Sequence, residues 1–193
     1  MILTLYSFNI AGDLDRKETE LRLIMDQKKI DIFCLIEAEV PTTNPPYATS
    51  FCSTILPFIQ PNKKARLIIW VRNSISKHVS IRTDLMSDEF PSIWLEICVN
   101  EKKSLVCFYY QVWFGLDSNT SVKAQRDKYN ILLAQFLRAS TSTDRIVCLG
   151  DANLDSSKFE RRNYYLHNLV QDLENCLSEA GLNLYELGPT FKS

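Results

Sequence analysis

The chain opens with a pattern of apolar and polar positions that is typical of a β-α-β unit. Residues Ile2 to Phe8 are mostly β-branched or aromatic and predict a buried strand that ends at Asn9. Leu14 to Lys28 carries apolar residues at helical spacing. Asp31 to Ile36 is a continuous apolar run, which predicts a second buried strand ending at Glu37. This order favours a layered α/β fold.

The middle third of the chain consists of strand-like runs without helices between them. Such a succession predicts antiparallel pairing; the runs are Ala65 to Val71, Val79 to Ile81, Ser92 to Val99 and Ser104 to Tyr110. Residues 100–103 fit a hairpin turn between the last two runs. The segment 41–47 contains three prolines and is predicted to be a loop.

Two helices and one strand are predicted in the last third. Thr120 to Ala139 has a helical apolar face, and Arg145 to Leu149 predicts a strand that leads into a Gly-Asp-Ala-Asn sequence. Apolar positions between Leu166 and Ala180 follow helical spacing, and Gly181 stands where a helix C-cap glycine is expected. With no internal repeat or boundary, we expect residues 1–193 to form a single domain.

Composition limits the classes of partner. Lys and Arg number 22 against 23 Asp and Glu, so any affinity for nucleic acid must be local or depend on a metal ion. The six cysteines show no CxxC spacing, which favours buried free thiols over a disulfide framework or a zinc site. The apolar opening lacks the basic flank of a signal peptide, and no run has membrane-spanning length. We therefore expect an intracellular protein, nuclear or cytoplasmic, without a membrane partner.

Three polar residues share one context, because Asn9, Glu37 and Asp151 each stand at or just past the end of a predicted apolar strand. In layered α/β folds, catalytic and ligand-binding groups collect at that edge. Each residue alone also has a simpler explanation, as a turn residue, a solvated carboxylate or a cap. Their joint occurrence favours a site.

The residue types at this edge suit phosphodiester chemistry. Gly150 would permit a tight exit from the strand, and in an extended backbone Asn153 would point the same way as Asp151. Such a pair could hold an attacking water and a phosphate oxygen together. Glu37 is an oxygen ligand suited to Mg²⁺ or Mn²⁺, whereas the chain has no HExxH motif or clustered histidines for zinc.

Six segments resemble the motifs of one known family. In chain order they are "SFNIAG", "DIFCLIEAE", "RLIIWVRNSI", "VCFYYQVW", "LGDANLD" and "GLNLYELGPTF". They resemble the endonuclease/exonuclease/phosphatase family, in the form of the apurinic-endonuclease-like domains of non-LTR retrotransposons. The order and spacing of the motifs match across essentially the whole chain.

The resemblance implies a fold, an activity and residue roles. The fold would be a four-layered α/β sandwich, with two mixed, largely antiparallel sheets flanked by helices. Glu37 would be the main metal ligand, supported by Asn9, and Tyr110 would form hydrogen bonds at the scissile phosphate. Asp151 would orient or activate the water, and Asn153 would contact a phosphate oxygen. The reaction would be Mg²⁺-dependent nicking of target DNA by a monomeric domain of a retrotransposon polyprotein, which also carries a reverse transcriptase.

The chain departs from the family pattern in two places. The family closes with an Asp-His pair a couple of dozen residues after the Pro-Thr-Phe segment, whereas this chain ends at Ser193, directly after "GPTFKS". We therefore expect the domain to be incomplete, to lack its last strands and to be weakly active or inactive. His78 and His167, the two histidines, do not follow aspartates and are interpreted as surface or helix-face residues. Gln111 stands where an arginine is usual, which removes one positive charge near the phosphate path.

Two other functions stay open. One is a non-catalytic, degenerate copy of the same fold that binds nucleic acid or nothing. The other is a phosphatase acting on a phosphoinositide or nucleotide, since the same scaffold serves those substrates. The stretch from Tyr110 to Trp113, and the absence of the loop insertions that such phosphatases usually carry, favour the nuclease.

Overall fold

Two four-stranded mixed sheets form the centre of the part of the chain that the computed structural model describes, residues 2–41, 52–56, 64–112, 119–153 and 164–183. The strands are β1 Leu5–Asn9, β2 Ile32–Pro41, β3 Cys52–Ile55, β4 Lys64–Arg72, β5 Val79–Ile81, β6 Ser92–Val99, β7 Lys102–Tyr110 and β8 Ile146–Asp151. The helices are α1 Leu14–Gln27, α2 Asn73–Ser76, α3 Asn119–Ser140 and α4 Tyr164–Glu179, with a 3-10 turn at Thr83–Leu85.

The strand order places one parallel pair in each sheet. The first sheet has the order β1-β2-β4-β3, in which β1 and β2 are parallel and α1 connects them. The second has the order β5-β6-β7-β8, in which β7 and β8 are parallel and α3 connects them. The predicted β-α-β opening and the antiparallel pairing of β5, β6 and β7 are confirmed.

Apolar side chains pack in three layers. Phe33 and Trp70 pack with α1 against the outer face of the first sheet. Ile69 and Phe108 belong to the layer between the two sheets. Trp94 packs with α3 and α4 residues against the outer face of the second sheet. Because β2 and β4 are covered on both faces, their sequences are continuous apolar runs rather than alternating ones. The predicted four-layered α/β sandwich is confirmed.

Element boundaries differ from the sequence prediction in several places, and the first strand begins at Leu5, not at Ile2, and includes Asn9. The second strand does not end at Glu37 but continues to Pro41, so Pro41 is a strand residue, and residues 42–47 of the predicted loop lie outside the described part. The short strand β3 was not predicted, because its four residues carry a weak pattern. The hairpin turn is Asn100–Glu101, both with positive φ, and Lys102 already belongs to β7. The strand β8 extends through Asp151.

Specific contacts close the ends of two helices. The Arg72 guanidinium of β4 donates hydrogen bonds to the carbonyl of Met25 (2.8 Å), in the last turn of α1, and to that of Ile30 (2.7 Å), just past the helix. Gly181, with φ of 69°, follows α4, and the N–H of Leu182 bonds the Leu177 carbonyl at 2.7 Å. The predicted C-cap glycine is confirmed. None of the helices in the described ranges has the length and apolar character needed to cross a membrane.

Candidate active site

The candidate site lies where the carboxyl ends of the two parallel strand pairs meet. Asn9 is in register with Ile36, which places Asn9 beside Glu37, and Tyr110 is in register with Asp151. A hydrogen bond of 3.2 Å from Asn9 Nδ2 to Asp151 Oδ2 joins the two sheets. Strand pairing and one inter-sheet contact therefore bring side chains from four distant parts of the chain to one edge.

A three-residue β-bulge in β2 determines the position of Glu37. Between the pairs Ile36–Leu67 and Val40–Ala65, residues 37–39 of β2 lie opposite the single residue Arg66 of β4. Glu37 and Glu39 have φ of 56° and 55°, a left-handed conformation that is uncommon outside glycine and that clusters at functional sites. The prediction that Glu37 ends its strand is wrong, because the register shift, not a strand end, turns its side chain out of the core.

Backbone hydrogen bonds tie this bulge to the segment after β1. The N–H of Ile10 bonds the Ile36 carbonyl at 2.9 Å, and the N–H of Gly12 bonds the Glu37 carbonyl at 2.8 Å. Lys17 of α1 donates from Nζ to the carbonyls of Ile10 and Gly12. The bulge and the loop that follows Asn9 are thus fixed as one unit.

Tyr110 connects Glu37 to the second sheet. Its side chain is buried and lies near the Glu37 carboxylate, which contributes to the shift in its pKa. Burial first, and then this carboxylate, raise the pKa of Tyr110 to about 12. Tyr110 is therefore protonated at neutral pH, and its hydroxyl keeps a proton to donate at this edge. The guanidinium carbon of Arg66 lies 5.8 Å from the centre of the Tyr110 ring.

Asn9 and Asp151 orient each other. While Asn9 Nδ2 donates to Asp151, Asn9 Oδ1 accepts the N–H of Ala11 at 2.9 Å. Both ends of the amide are used, which fixes its orientation. Because Oδ1 has two lone pairs, Asn9 can still offer one of them to a cation.

Gly150 allows β8 to lie against β7 at the strand position before Asp151. A Cβ at Gly150 would overlap the carbonyl oxygen of Tyr109 and stand 2.7 Å from two atoms of its ring. The predicted role of Gly150 in a strand exit is therefore replaced by another, since the residue lies inside β8. The two strands can approach this closely only because glycine has no side chain at position 150.

Asn153 lies beside Asp151 but not in the predicted extended conformation. Its φ is 48°, so the backbone turns after β8, and the N–H of Asn153 donates to Asp151 Oδ1 at 2.9 Å. Asn153 Nδ2 donates to the carbonyl of Gln111 at 2.6 Å. The hydroxyl of Tyr129, on α3, donates to the Ala152 carbonyl and holds the turn from behind. A side chain-to-backbone turn, rather than strand alternation, brings Asn153 and Asp151 together.

Gln111 is part of the framework of the site. It is fully buried, its backbone N–H donates to the Asp151 carbonyl at 2.8 Å, and its Nε2 donates to the Val112 carbonyl at 2.9 Å. Its Oε1 has no hydrogen-bond partner among the described residues. The uncharged Gln111 amide therefore points into the protein and does not provide an exposed positive group.

Three positioning residues, Lys17, Arg66 and Tyr129, were not singled out from sequence. The signal for Arg66 was a charge inside an apolar strand, and the signal for Tyr129 was a hydroxyl on the apolar face of a helix. His78 lies far from the site: its Nδ1 is 3.1 Å from the Cys98 carbonyl, at the opposite end of β6. Ser92, which pairs with Tyr109 near the site, lies six residues from Cys98 along β6, a distance of about 20 Å at the usual rise of a strand. The His167 side chain lies outside the described part.

The donor set at the site fits a hard divalent cation. Glu37 and Asp151 offer carboxylate oxygens, and Asn9 offers an amide oxygen. Across the described ranges, no three side chains of His, Cys, Asp and Glu lie together so as to hold a metal ion alone. Mg²⁺ binds in proteins through one or two carboxylates, with waters and substrate phosphates completing its shell. The arrangement suits Mg²⁺ or Mn²⁺ rather than zinc.

No protein-family model and no curated protein matches the chain, but solved structures do. The endonuclease domain of TRAS1, a telomere-specific non-LTR retrotransposon, superposes with a TM-score of 0.65 and 19% identity over 100% of this chain and 78% of that one. The AP endonuclease LMAP from Leishmania major superposes with a TM-score of 0.68 and 13% identity over 89% of this chain and 66% of that one. The 3′ phosphatase NExo from Neisseria, bound to a product DNA hairpin, superposes with a TM-score of 0.64 and 16% identity over 90% of this chain and 70% of that one.

These identities are low, so the likeness concerns the fold. The chain has the fold of the endonuclease/exonuclease/phosphatase proteins, as the resemblance of its motifs predicts.

Proposed function

We propose that this chain carries a divalent-metal-dependent phosphodiesterase site that nicks DNA, in the manner of a retrotransposon endonuclease domain. The observation that carries the proposal is the hydrogen-bonded series from Asn9 through Asp151 to Asn153, at the edge of the two sheets where Glu37 and Tyr110 also lie near each other. The fold likeness to an endonuclease domain and to a DNA-bound phosphatase supports DNA as the substrate. The association with a reverse transcriptase, and action as a monomer, rest on the motif resemblance.

The proposed roles follow from what each side chain already contacts. A Mg²⁺ ion held by Glu37 and Asn9 would supply positive charge to the phosphate oxygens and favour ionisation of a water. Asp151 receives hydrogen bonds from Asn9 Nδ2 and from the Asn153 N–H, so its carboxylate is fixed in orientation and can accept a hydrogen bond from the attacking water. Tyr110, protonated, offers a hydroxyl beside Glu37.

Asn153 supplies the phosphate contact in this proposal. One Nδ2 hydrogen binds the Gln111 carbonyl at 2.6 Å, which fixes the plane of the amide. The second hydrogen of the same group is a donor for a phosphate oxygen. Fixed donors of this kind stabilise charge that develops in the transition state without reorganising during the reaction.

We expect the proposed reaction to be slow, because the described residues of the site include no histidine to take the proton of the attacking water. His78 is about 20 Å away by strand rise, and Asp151 must accept the water proton or pass it to solvent. General acid–base help from a positioned group contributes roughly 10²- to 10⁴-fold. We therefore expect nicking slower by about that factor than the reaction of an enzyme with such a group.

A plasmid assay tests this function. Supercoiled plasmid is incubated with the chain in Mg²⁺, in Mn²⁺ and in chelator, and open-circle product is followed over hours. We expect slow metal-dependent nicking by wild type and His78→Ala, and none by Glu37→Gln. Equal nicking by Glu37→Gln and wild type would contradict the proposed site. DNA binding without any nicking would favour the non-catalytic alternative.

A further inference from the structure

We propose that Arg66 binds a phosphate of the DNA strand next to Tyr110, an inference that rests on the function proposed above. No motif in the sequence gives Arg66 this role; its position in the fold does. The inference concerns how the strand is bound at the site, which the roles of Glu37, Asp151 and Asn153 leave undetermined.

The β2 bulge places Arg66 at the site. Residues 37–39 are opposite Arg66 alone, so two carboxylates of β2 are directed to the neighbourhood of one cation. Arg66 Nη1 lies 3.1 Å from Glu39 Oε1, and the guanidinium carbon lies 5.8 Å from the centre of the Tyr110 ring. The ion pair and the ring contact together limit the movement of the guanidinium. The distance between the guanidinium carbon and the ring centre is in the usual range of a cation–π contact.

Arg66 is fixed and accessible at the same time. Its side chain is 40% exposed, and one ion pair to Glu39 leaves donors available among the five N–H groups of a guanidinium. A planar guanidinium binds two oxygens of a phosphate side by side, which a lysine ammonium cannot do. The exposed donors stand beside the tyrosine that the proposed function places at the scissile phosphate.

The charge balance at this edge favours such a cation in addition to the metal ion of the proposed function. Glu37, Glu39 and Asp151 are carboxylates, and an anionic DNA strand approaching them is repelled unless positive charge lies close by. Lys17 directs its ammonium to the carbonyls of the loop after Asn9. Lys64 is farther from its partner Glu39, at 3.7 Å, and has no ring contact among the described interactions. Arg66 is the described cation that is both held in place and next to Tyr110.

The test measures DNA binding rather than cleavage. A fluorescein-labelled duplex is titrated with the chain in chelator, by anisotropy, at several salt concentrations between 50 and 200 mM. Each phosphate contact to a duplex contributes about 0.9 to the slope of log affinity against log salt. We expect Arg66→Met to reduce the magnitude of that slope by about 0.9, and Arg66→Lys, which keeps the charge, to leave it close to wild type.

Lys103→Met is the matched control. Like Arg66, Lys103 is an exposed cation paired with a glutamate, since its Nζ lies 3.2 Å from Glu96 Oε1. Lys103 stands at the start of β7, however, at the opposite end of the strand from Tyr110. Its slope should equal that of wild type. If wild type binds DNA and Arg66→Met keeps the full slope, the role of Arg66 is overturned while the proposed function stands. If wild type has neither measurable DNA affinity nor metal-dependent nicking, the proposed function fails, and the role of Arg66 fails with it.

Discussion

The replacement of Gly150 by alanine tests whether the spacing of β7 and β8 positions Asp151. The added Cβ would stand 2.4 Å from the backbone carbonyl oxygen of Tyr109 and 2.7 Å from two of its ring atoms, and ordinary contact begins near 3.4 Å, so the strand backbones must separate by about 1.0 Å. The Tyr109 ring packs against Phe136, with 6.1 Å between the ring centroids, and this contact restricts movement of the ring. Asp151, the next residue, would move with Gly150.

Misplacing a reacting group by about 1 Å can cost roughly 10²-fold in rate. We therefore expect Gly150→Ala to lower the nicking rate by about 10²-fold, and to lower the free energy of unfolding by about 1–3 kcal/mol through overpacking. Mn²⁺ affinity, measured by calorimetry, should change much less, because Glu37 lies on the other sheet. Time courses of plasmid nicking at saturating Mn²⁺ give the rate, and urea unfolding gives the stability.

The control for Gly150→Ala is a variant that loses stability without moving Asp151. Ile97 is a core residue of β6, 4% exposed, and Ile97→Val should cost about 0.5–1.5 kcal/mol. Its nicking rate should match wild type. If Gly150→Ala is folded and nicks at the wild-type rate, then the close approach of β7 and β8 does not set the position of Asp151, and the reasoning is refuted.

Three further predictions concern metal binding, stability and pH. Glu37→Gln should abolish Mn²⁺ binding detectable by calorimetry, whereas unchanged affinity would place the metal elsewhere. Arg72→Met should lower the free energy of unfolding in urea by about 1–3 kcal/mol, because it leaves two carbonyls near the end of α1 without their charged donor; a loss no greater than that of Lys103→Met would contradict this. Because the pKa of Tyr110 is raised to about 12, its contribution to stability is complete below its unfolded value near 10 and declines as pH rises from 10 to 12. Tyr110→Phe should weaken that alkaline decline in urea midpoints, and an unchanged decline would show that other groups cause it.

The sequence was informative where local pattern decides structure. Asn9 and Asp151 end predominantly apolar strands, and their position at the edge of a layered sheet follows from that order alone. Gly181 was predictable as a cap for the same reason, because helix periodicity stops there and the next residue needs a positive φ.

The sequence was less informative where pairing between distant strands decides structure. The bulge at Glu37 exists only in the register of β2 on β4, so nothing in residues 31–41 alone predicts it. The sequence predicts Gly150 as the tight exit of a strand, because it does not show the position of Tyr109 across the strand pair. Arg66 became a candidate only when its place beside Tyr110 was known.

The most direct test of the central claim compares wild type with Asp151→Asn in one nicking time course, in Mg²⁺, with metal-free samples alongside. Asparagine keeps the size of the side chain and its place next to Asn9 but removes the charge that accepts a proton from water. We expect slow, metal-dependent nicking by wild type, and a rate lower by roughly 10²-fold or more in the variant. Nicking at the same rate by both proteins, with the variant folded, would contradict the claim that this edge of the two sheets is a phosphodiesterase site.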